Sequence, residues 1–438
     1  MTSLSGASAD AAKIRKPHGI RWVAFASSIG TIVEWYDFLI YGMAAALVLN
    51  KLFFPTIDPL LGTLAALGSY AVGFLARPLG GALFGHFGDR IGRKSTLIYT
   101  LVLMGLGTFL IGILPTYAKI GIWAPILLIA LRFLQGIGLG GEWGGASVMV
   151  LEHAPKGRRA LYGSFVQIGF PLGIVLATLV FSAVSKLPEA DFLSWGWRVP
   201  FLVSVVLVAL GLLVRANVVE SPIFEAMKAR RKIIKNPVLQ SIVADPRTFF
   251  VAIGLNISEV SWVYMLTVFM VVYATGTLKL PKSLILNAIL IAALVEIVTI
   301  PIFGYLADRI GRRPIYFIGT LFTLLFAFPL FWLFEIKTPE AVILTMVVAM
   351  SMGHGLMFAP ESAYLPELFG ANVRYSGASF GFQTAAAIGG GFAPIIATAL
   401  VGYMGGTAGV SIMLIVLALI TLLATLFARE TKNEILLK

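Results

Sequence analysis

Ten residues, GHFGDRIGRK from Gly85 to Lys94, return as GYLADRIGRR from Gly304 to Arg313. Asp89 and Asp308 stand 219 positions apart, half the length of a 438-residue chain. In both places an apolar run of membrane-spanning length precedes the motif and another follows it. A short charged hinge between two hydrophobic helices, present twice, constrains the chain to two similar halves made of long apolar helices, the arrangement of many transporters.

A span needs about 20 apolar residues. The chain divides into about twelve such runs, starting near Trp22, Leu60, Ser95, Trp123, Leu161, Val199, Phe249, Ser283, Pro314, Ala341, Tyr375 and Thr407. Only 12% of the residues are charged and mean hydropathy is +0.92, where an average soluble domain has roughly 25% charged residues. The predicted fold class is therefore an all-α integral membrane protein. No cysteine is present, which excludes disulfides, thiolate metal sites and a cysteine nucleophile. The polar stretch Met1 to Lys16 shows no cleavable signal and leads into a full-length span, so it is expected to be a disordered tail.

The net charge of +12 would suit a nucleic-acid binder, but its placement argues otherwise. Of the 33 Lys and Arg, 24 fall on the side of the N-terminus under this assignment. Seven fall on the other side (Lys51, Lys119, Lys186, Arg198, Lys279, Lys282, Lys337) and two lie inside spans. The positive-inside rule then puts both termini in the cytoplasm, leaving the basic balance as a topology signal and a contact for anionic lipid headgroups.

The longest polar stretch, Arg215 to Arg247, is too charged to span and reads as a cytoplasmic linker with a surface helix around Pro222 to Lys235. The expected organisation is a tail over 1–20, a six-helix bundle over 21–217, a linker over 218–247, a second six-helix bundle over 248–428 and a tail over 429–438. A second internal match supports the halving, because Glu152 and Arg159, seven apart, recur as Glu367 and Arg374 at an offset of 215. Glycines crowd the fourth run (Gly136, Gly138, Gly140, Gly141, Gly144, Gly145) and the eleventh (Gly381, Gly389, Gly390, Gly391). Close helix packing explains them. GIGLGG is no dinucleotide fingerprint, since no βαβ unit surrounds it.

The pattern Gly-x-x-x-Asp-Arg-x-Gly-Arg-Arg/Lys between the second and third runs resembles the signature of the major facilitator superfamily. More specific are EWYDFLIYG (Glu34 to Gly42), ARPLGGALFGHFGDR (Ala76 to Arg90), LRFLQGIGLGGEWGGA (Leu131 to Ala146), LYGSFVQIGFPLG (Leu161 to Gly173) and VESPIFE (Val219 to Glu225). With FLSWGWRVPF (Phe192 to Phe201) they resemble the metabolite:H+ symporter family of shikimate, α-ketoglutarate, citrate, aromatic-acid and proline/betaine porters. The resemblance implies two pseudo-symmetric six-helix bundles around a cavity that opens alternately to each side. It also implies a cytoplasmic gate built from the hinge residues Gly85, Asp89, Arg90, Gly92 and Arg93 with Glu152 and Arg159, and from Asp308, Arg309, Gly311 and Arg312 with Glu367 and Arg374. Asp89 can accept hydrogen bonds from a helix N-terminus of the opposite half, and one hinge arginine can pair with Glu152. The plainer alternative is that these charges only fix topology.

Ionisable groups at mid-membrane cost roughly 2.5 to 3.5 kcal/mol each on insertion scales and are functional candidates by default. Counting about 1.5 Å per residue puts Glu34, Asp37, Arg77 and Arg132 near mid-membrane in the first half, with Glu142 nearer the cytoplasm. Glu259, Glu296 and His354 are mid-span in the second, with Glu361 deeper. An acid that alternates between neutral and ionised forms beside a cation suits proton coupling. The resemblance puts Asp37 and Arg132 on neighbouring helices, making Asp37 the first candidate and Glu34 the second; a permanent Asp37–Arg132 salt bridge is the structural alternative. Arg77 is left to hold a substrate carboxylate, or else Glu34 or Glu142. Tyr36, Tyr41, Gln135, Trp143, Gln167, Asn256, Glu259, Trp262, His354 and Gln383 are the other cavity candidates. His354 is either a proton relay or a helix-to-helix hydrogen bond. His18, His86 and His153 fall in loops or the tail, so no metal cluster is visible.

The expected function is secondary active, proton-coupled import of a small organic acid such as shikimate, a dicarboxylate or an aromatic acid. No cofactor is expected beyond H+, and no partner beyond substrate, lipid and protons; a monomer in the plasma membrane is the expectation. Uptake of a zwitterionic osmolyte of the proline/betaine type is the alternative, and a transporter-like sensor a remote one. No nucleophile–base pair suggests an enzyme, and no P-loop suggests an ATP-driven pump.

Overall fold

The computed structural model describes residues 19–55, 59–230 and 234–436. Met1 to Lys16 and part of the linker, including Arg231 and Lys232, lie outside the described residues. The described chain is helical throughout. Among the described residues ten helices are long and apolar enough to cross a membrane, and a bent pair raises the number to eleven. The helix Pro59–Ile91, 33 residues long, has the length of a twelfth.

We label these α1 (Ile20–Ala44), α2 (Pro59–Ile91), α3 (Arg93–Ile113), α4 (Trp123–His153), α5 (Arg159–Val184) and α6 (Val199–Ala216) in the first half. The second half holds α7 (Pro246–Thr277), α8 (Lys282–Ile310), α9 (Arg312–Phe326 with Pro329–Glu335, bent by 52°), α10 (Pro339–Glu367), α11 (Arg374–Met404) and α12 (Ala408–Phe427). Every helix begins within three residues of the start read from hydropathy. Large apolar side chains such as Val206, Leu213, Leu325 and Leu344 face outward, as a lipid-facing surface requires.

Local chemistry sets the breaks. Gly92 and Gly311, at φ of 121° and 118°, occupy a backbone region that other residues rarely enter, and they let α2 turn into α3 and α8 into α9. Asp245 caps α7 by accepting from Thr248 N at 3.0 Å and Thr248 Oγ1 at 2.6 Å, bonds that hold its carboxyl below the ordinary range. The glycines of α4 serve packing: a Cβ on Gly136 or Gly140 would run into the backbone of α2 at Gly73 and Arg77. α10 and α11 each contain a π-helical stretch, Ala349–Gly355 and Ala387–Phe392, a distortion frequent at functional sites.

The halves meet along α2 with α11, α5 with α8 and α10, and α4 with α10 and α11. The linker is not a loose tether. Its helix Pro222–Ala229 is shorter than expected and buries Ile223, Phe224 and Met227, with the Arg93 guanidinium over the Phe224 ring at 5.0 Å.

Candidate functional site

The two hinges form reciprocal contacts across the halves. Asp89, at the end of α2, accepts Tyr375 N at 3.3 Å and Ser376 N at 2.9 Å, the free N–H groups of the first turn of α11. Asp308, at the end of α8, accepts Ala160 N at 3.1 Å and Leu161 N at 2.8 Å in the first turn of α5. Each carboxylate therefore satisfies orphan donors of the opposite half and lies at the positive, N-terminal end of the dipole of α11 or α5. Gly85 belongs to the same contact, since a Cβ there would stand 2.6 Å from Ser376 Cα.

Behind each aspartate lies a buried ionic cluster. Arg93 reaches Asp89 at 3.3 Å and Glu152 at 3.3 Å, and Arg374 from the other half reaches Glu152 at 3.0 Å. In the second copy Arg312 reaches Asp308 at 2.9 Å and Glu367 at 3.1 Å, with Arg159 of the first half 3.5 Å from Glu367. Arg90 and Arg309 depart from the expected gate. Arg90 is exposed and bonds His86 Nε2 at 3.2 Å, while Arg309 covers the Tyr305 ring at 5.2 Å. They occupy the outer helix face, four-residue spacing having turned Arg93 and Arg312 inward instead.

Four participants were not among the gate residues read from the sequence. Glu220 accepts Arg93 N at 3.0 Å and Glu430 accepts Arg312 N at 3.0 Å, each capping the helix after a hinge. Ser221 donates to Glu152, and Thr431 donates to Glu367 at 2.6 Å. The pairs Glu220-Ser221 and Glu430-Thr431 follow the sixth and twelfth runs, a third internal repeat that could have signalled them. The C-terminal segment also joins in: Arg159 donates to Glu434 O at 2.8 Å and Arg374 to Leu436 O at 2.9 Å.

Deeper in the first half, Asp37 and Arg132 form no direct ion pair. They are joined by a bridge: Thr108 Oγ1 donates to Asp37 Oδ2 at 2.6 Å, Gln135 Nε2 to Thr108 Oγ1 at 2.7 Å, and Arg132 Nη1 to Gln135 Oε1 at 2.6 Å. A locking salt bridge is thus absent. Asp37 Oδ1 and Arg132 Nε and Nη2 are buried without a hydrogen-bond partner, and the Arg132 guanidinium lies over the Tyr41 ring at 4.3 Å. Arg77 sits against Phe38 and Phe74 at 4.6 and 4.8 Å, with Nε and Nη2 likewise unpartnered. Its electrostatic neighbours are Glu34 and Tyr264. Glu142 is not its partner, being ion-paired to Arg215 and accepting from Thr100 at 2.8 Å. Arg215, read as the start of the linker, is a buried residue of α6.

Between the halves, aromatic rings meet: Tyr264 lies 5.0 Å from Phe74 and Trp143 stacks on Phe382 at 4.0 Å. Trp143 Nε1 donates to Gln167 Oε1 at 2.9 Å, and Gln167 Nε2 to Phe358 O at 2.8 Å, with Glu361 at 3.3 Å. Gln383 reaches across to Leu139 O at 3.4 Å. Asn256 Nδ2 donates to Ala252 O at 2.6 Å and leaves Oδ1 unpartnered. Some cavity candidates face their own half: Tyr36 donates to Pro200 O at 2.8 Å, Trp262 to Ala349 O at 2.9 Å, and Tyr41 bonds Ser69 at 2.6 Å.

The sequence profile of the major facilitator superfamily matches residues 27–394 and 264–436. The chain belongs to that superfamily. It is 44% identical over 417 residues to the shikimate transporter of Escherichia coli (strain K12), covering 94% of this chain and 95% of the relative. Identity is 42% over 419 residues to the inner membrane metabolite transport protein YhjE of the same organism, covering 94% of each. The proline/betaine transporter of that organism is more distant, 35% over 431 residues, covering 95% of this chain and 84% of the relative. The fold matches a solved structure of the xylose transporter XylE, with a TM-score of 0.76 at 20% identity over 95% of this chain and 97% of that one. The protein is a multi-pass membrane transporter of a small-molecule metabolite, and not an enzyme.

Proposed function

We propose that the chain imports a small organic acid together with protons by alternating access, with the hinge end in the cytoplasm and the described state closed on that side. The positive-inside count supports the orientation. The observation that carries the substrate class is the pair Arg77 and Arg132, both buried, both resting on aromatic faces and neither in a salt bridge among the described residues. Unpaired buried guanidinium groups are costly, and a carboxylate ligand offers each a charge-assisted, bidentate partner. Asp37, one bridge away from Arg132 with a free oxygen, is the group that takes the coupling proton. Similarity to a shikimate transporter makes shikimate the first ligand to try.

Purified protein in liposomes tests this. An inward pH gradient is expected to drive accumulation of shikimate, Arg77→Lys and Arg132→Lys to weaken its binding, and Asp37→Asn to lower gradient-driven accumulation while sparing exchange at equal pH. Accumulation unchanged by Asp37→Asn sinks Asp37 as the proton carrier. A second reading, uptake of a zwitterion, is favoured by Glu361, whose Oε1 has no partner and which could face a cationic group. Glycine betaine outcompeting shikimate in the same liposomes would select it.

A further inference from the structure

The interior of the second half holds a cluster that the reading above does not use. Glu259 on α7, Glu296 on α8 and His354 in the π-helical stretch of α10 are all buried. His354 Nδ1 lies 2.8 Å from Glu296 Oε1, and Nε2 lies 3.0 Å from Glu259 Oε1.

An imidazole with a carboxyl group on each nitrogen fixes a proton count. The neutral ring has one N–H donor and one bare nitrogen. Facing two ionised carboxylates, the bare nitrogen would set its lone pair against an oxygen lone pair. Both contacts form only when one more proton is present, held as an imidazolium that donates twice or as a carboxyl that donates to the bare nitrogen. The surroundings favour keeping it. Glu361 on α10 is a further electrostatic neighbour of Glu259, as are Tyr264 on α7 and Tyr316 on α9. Glu259 Oε2 and Glu296 Oε2 have no partner, and among the described residues no Lys or Arg forms an ion pair with Glu259, Glu296 or Glu361. Full ionisation would therefore bury uncompensated negative charge. A metal does not fit the arrangement, since no three His, Asp or Glu side chains among the described residues are placed to hold one.

The ring is also placed to respond to opening. One face stacks on Phe358 at 4.4 Å, and a second contact at 5.0 Å comes from Phe170 on α5, which belongs to the first half. Separation of α5 from α10 at the hinge end removes that cover.

We propose that Glu259, His354 and Glu296 form a second proton-binding centre of the transport cycle, distinct from Asp37 and located in the opposite half. The idea rests on the proton-coupled reading. While the hinge end is closed the cluster holds its shared proton. When Phe170 withdraws, the N–H or O–H bond breaks, the proton passes to water entering between the halves, and His354 keeps one carboxylate partner and releases the other. Because the groups lie on α7, α8 and α10, proton loss releases either α7 or α8 from α10 at the moment the site changes sides.

Two measurements test the centre, the first without any substrate. Infrared difference spectra of the protein in liposomes between pH 5 and 9 are expected to contain imidazole and carboxyl bands that His354→Gln, Glu259→Gln and Glu296→Gln each alter and Asp37→Asn leaves in place. Spectra identical to the wild type in all three variants overturn the proposal. The second is the steady accumulation of shikimate at clamped zero voltage. It is expected to fall from about 100-fold to about 10-fold per pH unit in His354→Gln, because one proton instead of two is carried per anion; accumulation equal to the wild type overturns it. Equal-pH exchange checks that each variant is folded, with Glu296→Gln replacing His354→Gln if the latter fails. If shikimate is not moved at all, the functional reading falls, and the spectra still decide the cluster.

Discussion

Neutralising Asp89 should open the hinge end of the molecule. Its carboxylate accepts two backbone N–H groups from the first turn of α11 and touches Arg93, so Asp89→Asn keeps the shape and removes the charge. The amide can accept one N–H but turns its own NH2 toward the other, leaving a buried donor unpaired. Losing one charge-assisted bond and stranding its donor costs about 2–4 kcal/mol, which shifts the closed-to-open ratio roughly 30- to 1000-fold. The chain has no cysteine, so a single Ser164→Cys reporter is clean. Ser164 is buried where α5 meets α8 at Gly304, and maleimide reaches it only when the halves part. The labelling rate should rise with the open population until opening is no longer rare, and Asp308→Asn should give a similar rise through α5. A rate within twofold of the parent in a variant that still melts cooperatively would refute the view that the aspartates hold the halves together.

Three other outcomes follow from the same geometry. Glu152→Gln removes the negative charge shared by Arg93 and Arg374, leaving Arg374 with carbonyl partners only and Arg93 with Asp89 as its one ion pair among the described residues, so thermal unfolding should show a loss of about 3–5 kcal/mol. Deleting residues 433–438 takes away the carbonyls of Glu434 and Leu436 that hold Arg159 and Arg374; Ser164→Cys labelling should then rise by about 10-fold, the worth of one or two such bonds. Gly140→Ala, whose Cβ has no room beside the Arg77 carbonyl, should reduce the yield of folded protein, whereas Gly402→Ala, in open space, should be neutral in the same size-exclusion assay.

The helices were legible because lipid demands an uninterrupted apolar run for each span, and because the hinge glycines and charges mark where α2 and α8 end. The repeated Glu152–Arg159 and Glu367–Arg374 spacing marked the ionic clusters in the same way. Partner choice inside the bundle was less legible. Arg215 looked like the edge of a polar linker, yet its reach from the end of α6 brings it to Glu142; matching the two depths by helical rise could have paired them. The Thr108–Gln135 bridge between Asp37 and Arg132 has no signal in composition or spacing, since it depends on how α3 and α4 are rotated about their axes. Tyr36 and Trp262 looked like cavity residues because a polar aromatic in a span does so on either face, and only the fold shows their hydrogens spent on Pro200 O and Ala349 O.

The reciprocal hinge bonds also limit how the cycle can be powered. Asp89 and Asp308 hold opposite helices, so a rigid-body rotation of one half against the other breaks both sets together rather than one after the other. Four charge-assisted bonds are worth about 6–12 kcal/mol on that basis, and a transporter that lost all of it on opening would remain closed. That figure is net of rehydration of the exposed N–H and carboxylate groups, so contacts of similar worth must form at the far end of the bundle if the two states are to differ by only a few kcal/mol. Ligands then need only tip the balance. In the proposed reading a carboxylate on Arg77 and Arg132 would act on the first half and a proton among Glu259, His354 and Glu296 on the second, so each half would carry its own trigger while the duplicated hinge contacts both halves. On that proposal the symmetric hinge contacts would enforce a single motion, and the asymmetric interior would make that motion depend on cargo.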